Sequence, residues 1–180
     1  GDDSQVVVQY EKKVDVVKSS LEKLPDKLRN KSFDLVIMIR VLHHIKNLDK
    51  AFSTVSKVLK NNGYFILEFA NKRHGKAFAR EFMKGNFTFL HDILPLEIST
   101  KTTSKQILPF LNYHPDVIKE KLKEHNFDVL EMRSVSNIRS PFIKRTIPTE
   151  IILPLEKLLQ KPLAKINFGP SIFLLAQKRG

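Results

Sequence analysis

An α/β layered fold with a mostly parallel sheet is what this sequence predicts, and three features predict it. Short, continuous apolar runs suited to strands covered on both faces occur at residues 34–39 (DLVIMI) and 64–70 (YFILEFA). Between them Leu48, Ala51, Phe52, Val55, Val58 and Leu59 recur at three- and four-residue steps, the spacing of a helix with one buried face. Beyond them helical and strand patterns keep alternating to the last residues.

In chain order, Ser4 can cap a short helix through Lys13 that carries Val7, Val8 and Tyr10. Residues 14–18 (VDVVK) are β-branched and read as a strand. A polar stretch broken by Pro25 leads into the strand at 34–39 and the helix from Leu48. Asn62-Gly63 is expected to end that helix, because glycine accepts the left-handed conformation common after a helix C-terminus. The strand that follows completes a βαβ unit, nearly always right-handed. Residues 75–85 (GKAFAREFMKG) are expected to be helical, and 89–100 (FLHDILPLEIST) to form a lid-like insertion, so that 71–115 stand as an inserted segment of a single domain, 1–180. Pro115-Asp116 opens a helix with Val117, Ile118 and Leu122 on one face. Residues 127–135 (FDVLEMRSV) read as a strand, 148–166 as a helix or helix pair interrupted by Pro154 and Pro162, and 170–178 (PSIFLLAQK) as the final strand.

Composition narrows the chemistry. The chain of 180 residues is 42% hydrophobic and 28% charged, which suits one globular domain with a real core. It has no cysteine, so disulfides and thiolate metal sites are excluded. The histidines show neither helical ligand spacing nor an HExxH pattern, so no metal is expected. No apolar run is long enough to cross a bilayer, no signal-peptide pattern opens the chain, and a cytoplasmic protein is the expectation. Lys and Arg number 31 against 19 Asp and Glu, a net charge of +12. That excess can attract nucleic acid, anionic lipid or an anionic small molecule. It is dispersed and lacks an aromatic RNA-binding signature, so a solvated basic surface is favoured over a nucleic-acid face.

The stretch from Ser19 to Ala70 carries a family likeness. Its LEKLP, SFDLV and LHH segments, followed by a helix and an Asn-Gly turn into a strand, resemble the middle of class I S-adenosylmethionine-dependent methyltransferases of the type 11 kind. The resemblance implies a Rossmann-like three-layer sandwich, mostly parallel with an antiparallel C-terminal strand, and a cofactor lying across the C-terminal edge of the sheet. It implies S-adenosylmethionine as cofactor and methyl transfer to a small-molecule or lipid-like acceptor. Carried over by position, Asp2 or Asp3 would hold the ribose hydroxyls, since a carboxylate can accept two hydrogen bonds. Ser20 and Leu21 would line the adenine pocket, and Ile39 would meet the methionine end through its backbone. The family's glycine-rich first turn has no counterpart, for none of the glycines pairs as GxG. The expectation is therefore an N-terminally truncated version of the fold, completed by a missing segment or by a homo-oligomer. Two other readings stand beside the enzyme: a non-catalytic domain that does not bind cofactor alone, and a basic RNA-binding or RNA-modifying protein.

At the mouth of the first apolar strand stand His43 and His44. Either can steer substrate, and His44 is the candidate general base because imidazole titrates near neutrality. Equally, one imidazole can pack on the following helix and cap its first turn. Arg40 can meet a carboxylate or form a surface salt bridge. Glu68 and Arg73 leave the second strand at the functional edge, as substrate groups or as an ordinary polar turn. Tyr113 and His114 can reach over the site, or staple the helix that Pro115 begins.

Overall fold

In the computed structural model of the protein, residues 17–28, 32–85, 92–98, 110–138 and 140–180 are described. The expected helix at 4–13, and residues 14–16 of the expected strand, lie outside them. Val17 and Lys18 are not in a strand.

The βαβ unit forms from β1 (Phe33–Met38), α2 (Leu48–Val58) and β2 (Leu59–Ala70), after a 3-10 turn (Leu21–Lys23) and the short α1 (Leu24–Lys27). α2 starts where Asn47 Oδ1 accepts the Lys50 N–H at 2.9 Å, so asparagine rather than a histidine caps it. It stops at Val58, earlier than Asn62-Gly63 suggested. The reason is tertiary. Residues 59–63 pair into β2, with Leu59 opposite Phe33 and then Tyr64 opposite Leu35. Asn62, at φ 62°, lies within this irregularity and absorbs the register shift. A side chain at Gly63 would come within 2.9 Å of the Lys60 carbonyl oxygen, so the shift also needs a residue without one.

β2 is followed by α3 (Gly75–Met83), the two-stranded β3 (Leu96–Ile98) and β4 (Phe110–Asn112), then α4 (Pro115–Glu124) and β5 (Phe127–Val135). α5 (Pro141–Thr146), which periodicity did not signal, precedes α6 (Thr149–Lys165) and β6 (Ser171–Lys178). α6 is one helix running through both Pro154 and Pro162. The main sheet has the order β1-β2-β6-β5. β1 and β2 are parallel, and β6 runs antiparallel to both β2 and β5. Three strands thus share one direction and the C-terminal strand opposes them, so the C-terminal ends of β1, β2 and β5 meet at one rim.

Alternation along the strands builds the core. Phe65, Leu67 and Phe69 of β2 share a face with Ile172, Leu174 and Ala176 of β6, all fully buried. Phe52 of α2, Ile118 and Leu122 of α4 and Phe127 of β5 complete this layer. The Phe65 and Phe127 rings lie 5.6 Å apart, within the range of favourable aromatic pairs. The opposite face carries Ile66, Glu68 and Ala70 beside Ser171, Phe173 and Leu175, only partly covered.

Past β2, Lys72 is 2% exposed, and its ammonium is satisfied by the Asp92 and Leu94 carbonyls at 2.9 and 2.6 Å and by Asp92 Oδ2 at 2.7 Å. This buried cation ties residues 92–94 to the end of the sheet. Replacing Lys72 with Met would leave those acceptors without a donor, and should lower unfolding free energy by about 2 kcal/mol in urea titration. The Lys72 hydrogen bond holds the Asp92 carboxyl below its ordinary value. Stability from that ionised carboxylate is present above the unfolded-state pKa and lost as pH falls through the lowered one. Asp92→Asn should therefore be less stable than wild type at pH 7 and indistinguishable from it in acid.

Candidate functional site

Where the three strand ends meet, a cavity of about 610 Å³ opens, lined chiefly by Ile39, Arg40, His43, Glu68, Phe110 and Asn112. His74, Ser136, Ser171 and Phe173 close its remaining sides, with Ala70, Val135 and Pro170. Each wall follows from local chain geometry. β1 ends at Met38, and Arg40 turns the chain in the left-handed region at φ 57°. That turn aims the Arg40 N–H at Glu68 Oε2, 2.8 Å away. Glu68 Oε1 accepts from the Ser171 hydroxyl. The carboxylate, on the less covered face of β2, is thus held from two sides by groups of neighbouring chain segments. Ser136, just after β5, is a second left-handed residue, at φ 60°. Such conformations in non-glycine residues concentrate where surrounding structure enforces them.

His43 sits in the 3-10 turn Leu42–His44. Its ring stacks on Phe110 at 4.4 Å and meets His44 at 4.0 Å. Burial lowers the His43 pKa, the neighbouring His44 lowers it further, Glu68 opposes the shift, and Arg40 adds to it. His43 is therefore a neutral imidazole at pH 7. Asn112 is 5% exposed, and its Oδ1 is buried with no hydrogen-bond partner among the described residues. A buried acceptor left open beside a cavity is one a ligand can satisfy. His74 Nδ1 accepts the Ala77 N–H at 3.2 Å, capping α3.

Of the residues picked from sequence, Ile39, Arg40, His43 and Glu68 are brought together in this cavity. His44 lies behind His43, edge-on to Phe110 at 6.3 Å, and does not line it. Ser20 is exposed before the first 3-10 turn, and Leu21 packs against the hydrophobic core; neither lines the cavity. Asp2 and Asp3 lie outside the described residues. Arg73 points to Asp116, 3.7 Å away, rather than into the cavity. Tyr113 is buried and donates its hydroxyl to the Ile45 carbonyl, and His114 Nδ1 accepts the Asp116 N–H at 3.2 Å as the cap of α4. Phe110, Asn112, Ser136 and Ser171 were missed. They come from three separate segments, β4, the turn after β5 and the start of β6, and only the pairing of β2 with β6 and the docking of β4 gather them. Among the described residues no cluster of His, Asp or Glu could hold a metal ion, and no helix is long and apolar enough to cross a membrane.

Residues 3–67 match the sequence model of a methyltransferase domain. An uncharacterized protein of Methanocaldococcus jannaschii is 32% identical over 165 residues, which is 91% of this chain and 60% of that protein. The chain thus spans less than two thirds of this relative's length. A solved S-adenosylmethionine-dependent methyltransferase from Archaeoglobus fulgidus superimposes with a TM-score of 0.52 at 20% identity, over 93% of this chain and 69% of the other. One from Thermotoga maritima gives 0.57 at 17% identity, over 92% and 65%. The fold is that of the class I S-adenosylmethionine-dependent methyltransferases, and the first part of the chain carries their methyltransferase-domain pattern.

The Tyr113 phenol, bonded to the Ile45 carbonyl, supplies a check on how the segment after β4 is held. Burial pushes its pKa up to about 12. A raised phenol pKa means stability that is fully present below the unfolded value and lost as pH rises through the folded one. Tyr113→Phe removes the bond to Ile45 and should cost about 1 kcal/mol at pH 8. Chemical denaturation across pH 8 to 12 should show that difference shrinking as wild type loses the contribution.

Proposed function

We propose that this chain transfers a methyl group from S-adenosylmethionine to a small-molecule acceptor bound in the cavity between Ile39, Glu68 and Phe110. The observation that supports it most strongly is the meeting of Ile39, Arg40, His43 and Glu68 at the C-terminal rim of β1 and β2. That rim is where open α/β sheets bind ligands.

The residues present fit the cofactor's chemistry. S-adenosylmethionine supplies a methyl group already activated by a positively charged sulfur. A cavity with one fixed carboxylate and apolar walls from Ile39, Phe110 and Phe173 suits such a cation, and its volume lies in the range of ligand sites. In this reading the Ile39 backbone meets the methionine end, and Asp2 or Asp3 holds the ribose hydroxyls. Ser20 and Leu21, which stand away from the cavity, would have to reach the adenine from beyond its rim.

The chain's own contribution is placement. Glu68, held by the Arg40 N–H and the Ser171 hydroxyl, does not have to reorganise when a positive charge arrives. The Phe110 ring fixes the plane of His43. Neutral at pH 7, His43 can accept a hydrogen bond from a proton-bearing acceptor without repelling a cation. The walls orient two reactants in line, which is most of what this transfer needs.

Calorimetry with S-adenosylhomocysteine should show binding with a Kd on the order of 10 μM, or about −7 kcal/mol. Ile39→Glu should abolish it without lowering the melting temperature, because Ile39 is 43% exposed. No heat and no thermal shift at saturating nucleoside would refute the reading.

A further inference from the structure

From the acceptors in this cavity we infer that the molecule methylated is an amine, its nitrogen recognised jointly by Glu68 and Asn112. The inference rests on the methyltransferase reading above and adds the acceptor's chemical class.

Two facts carry it. Glu68 faces the cavity as a carboxylate whose existing partners are one backbone N–H and one hydroxyl. A carboxylate has acceptor positions beyond those two. Asn112, a residue of the same cavity lining, supplies a second acceptor: its Oδ1 is buried and has no partner among the described residues. Leaving such an atom unpaired costs free energy that a ligand donor would recover. A ligand bringing several N–H donors and a positive charge satisfies both groups. An alcohol brings a single donor, and a carboxylic acid would put a second negative charge beside Glu68.

The rest of the lining agrees. The groups facing His43 are His44, Glu68, Arg40 and the Phe110 ring. Uncharged, His43 adds an acceptor nitrogen and no cation to compete with an ammonium. Arg40 is exposed, and its contact with Glu68 is made by its backbone N–H. Phe110 and Phe173 offer apolar and aromatic walls to the remainder of the molecule and a cation–π surface to its charge.

The transfer balances simply. The bound ammonium loses one N–H proton to solvent through the open mouth. The freed lone pair forms the N–C bond as the C–S bond of a sulfonium methyl donor breaks. Sulfur keeps that electron pair and leaves as a neutral thioether, and the product nitrogen carries the positive charge.

Binding of phenethylamine, 2-phenylethanol and phenylacetate should be compared by calorimetry, with and without S-adenosylhomocysteine, on wild type, Glu68→Gln and Asn112→Leu. We expect phenethylamine to bind at least tenfold tighter than the other two. Both variants should lose at least tenfold for the amine while holding 2-phenylethanol equally, and Glu68→Gln keeps the shape that accepts the Arg40 N–H. Circular dichroism melts confirm that each variant is folded, and if Asn112→Leu is not, Glu68→Gln decides alone. Equal binding of amine and alcohol, with S-adenosylhomocysteine bound, overturns the amine inference and leaves the methyltransferase reading intact. If the variants weaken S-adenosylhomocysteine instead of phenethylamine, the two acceptors serve the cofactor's own ammonium and the inference falls. Absence of S-adenosylhomocysteine binding to wild type overturns the underlying reading itself.

Discussion

The end of β2 is the point on which this structure turns, and the Asn71 side chain holds it. Asn71 is fully buried, and its amide donates to the Asn167 and Gly169 carbonyls at 2.6 and 2.7 Å. Its Oδ1 accepts the Arg73 N–H at 2.9 Å, while its own N–H donates to the Pro170 carbonyl. One side chain therefore satisfies the backbone of the turn into β6 and the backbone leaving β2. A buried amide with its groups matched stabilises and also specifies, because any other residue would strand two carbonyls. Around it the chain has no slack. A side chain at Gly169 would stand 2.3 Å from Ser134 Oγ, the atom that accepts the Gly169 N–H at 2.8 Å.

The cavity exists because of that junction. With the start of β6 held against the end of β2, Ser171 lies opposite Ala70 and reaches Glu68. Tyr113 joins the same end: its N–H donates to the Ala70 carbonyl, and its carbonyl accepts the Lys72 N–H at 3.0 Å. This carries β4, with Phe110 and Asn112, over the rim. Lys72 then secures residues 92–94 from beneath. The polar residues following β2 are thus divided. Glu68 lines the cavity, Asn71 and Lys72 bind the scaffold, and Arg73 turns toward α4.

The division explains what could be read in advance. The βαβ unit, α4 and the last two strands announced themselves because their apolar spacing reports which face is buried, and burial dominates the energetics of those elements. The end of α2 did not, because Asn62-Gly63 is equally suited to a helix terminus and to an irregular strand. Pairing of Leu59 with Phe33 made the choice. α6, which lies along β5, continues through Pro154 and Pro162, where local rules expect a break. At the site, Ile39, Arg40, His43 and Glu68 were legible because they directly follow or end apolar strands, and strand ends in such sheets form the functional edge. His114 looked the same in sequence but caps a helix.

By itself, the sequence determined the layered α/β class, the βαβ unit, α4 and the last two strands of the main sheet, because these depend on hydrophobic periodicity within short windows. Tertiary structure alone decided that Glu68 is gripped by Arg40 and Ser171, that His43 is stacked on Phe110, and that the Asn112 oxygen has no partner among the described residues. Those are contacts between residues far apart in the chain, and their free energies depend on desolvation and geometry that no local pattern encodes.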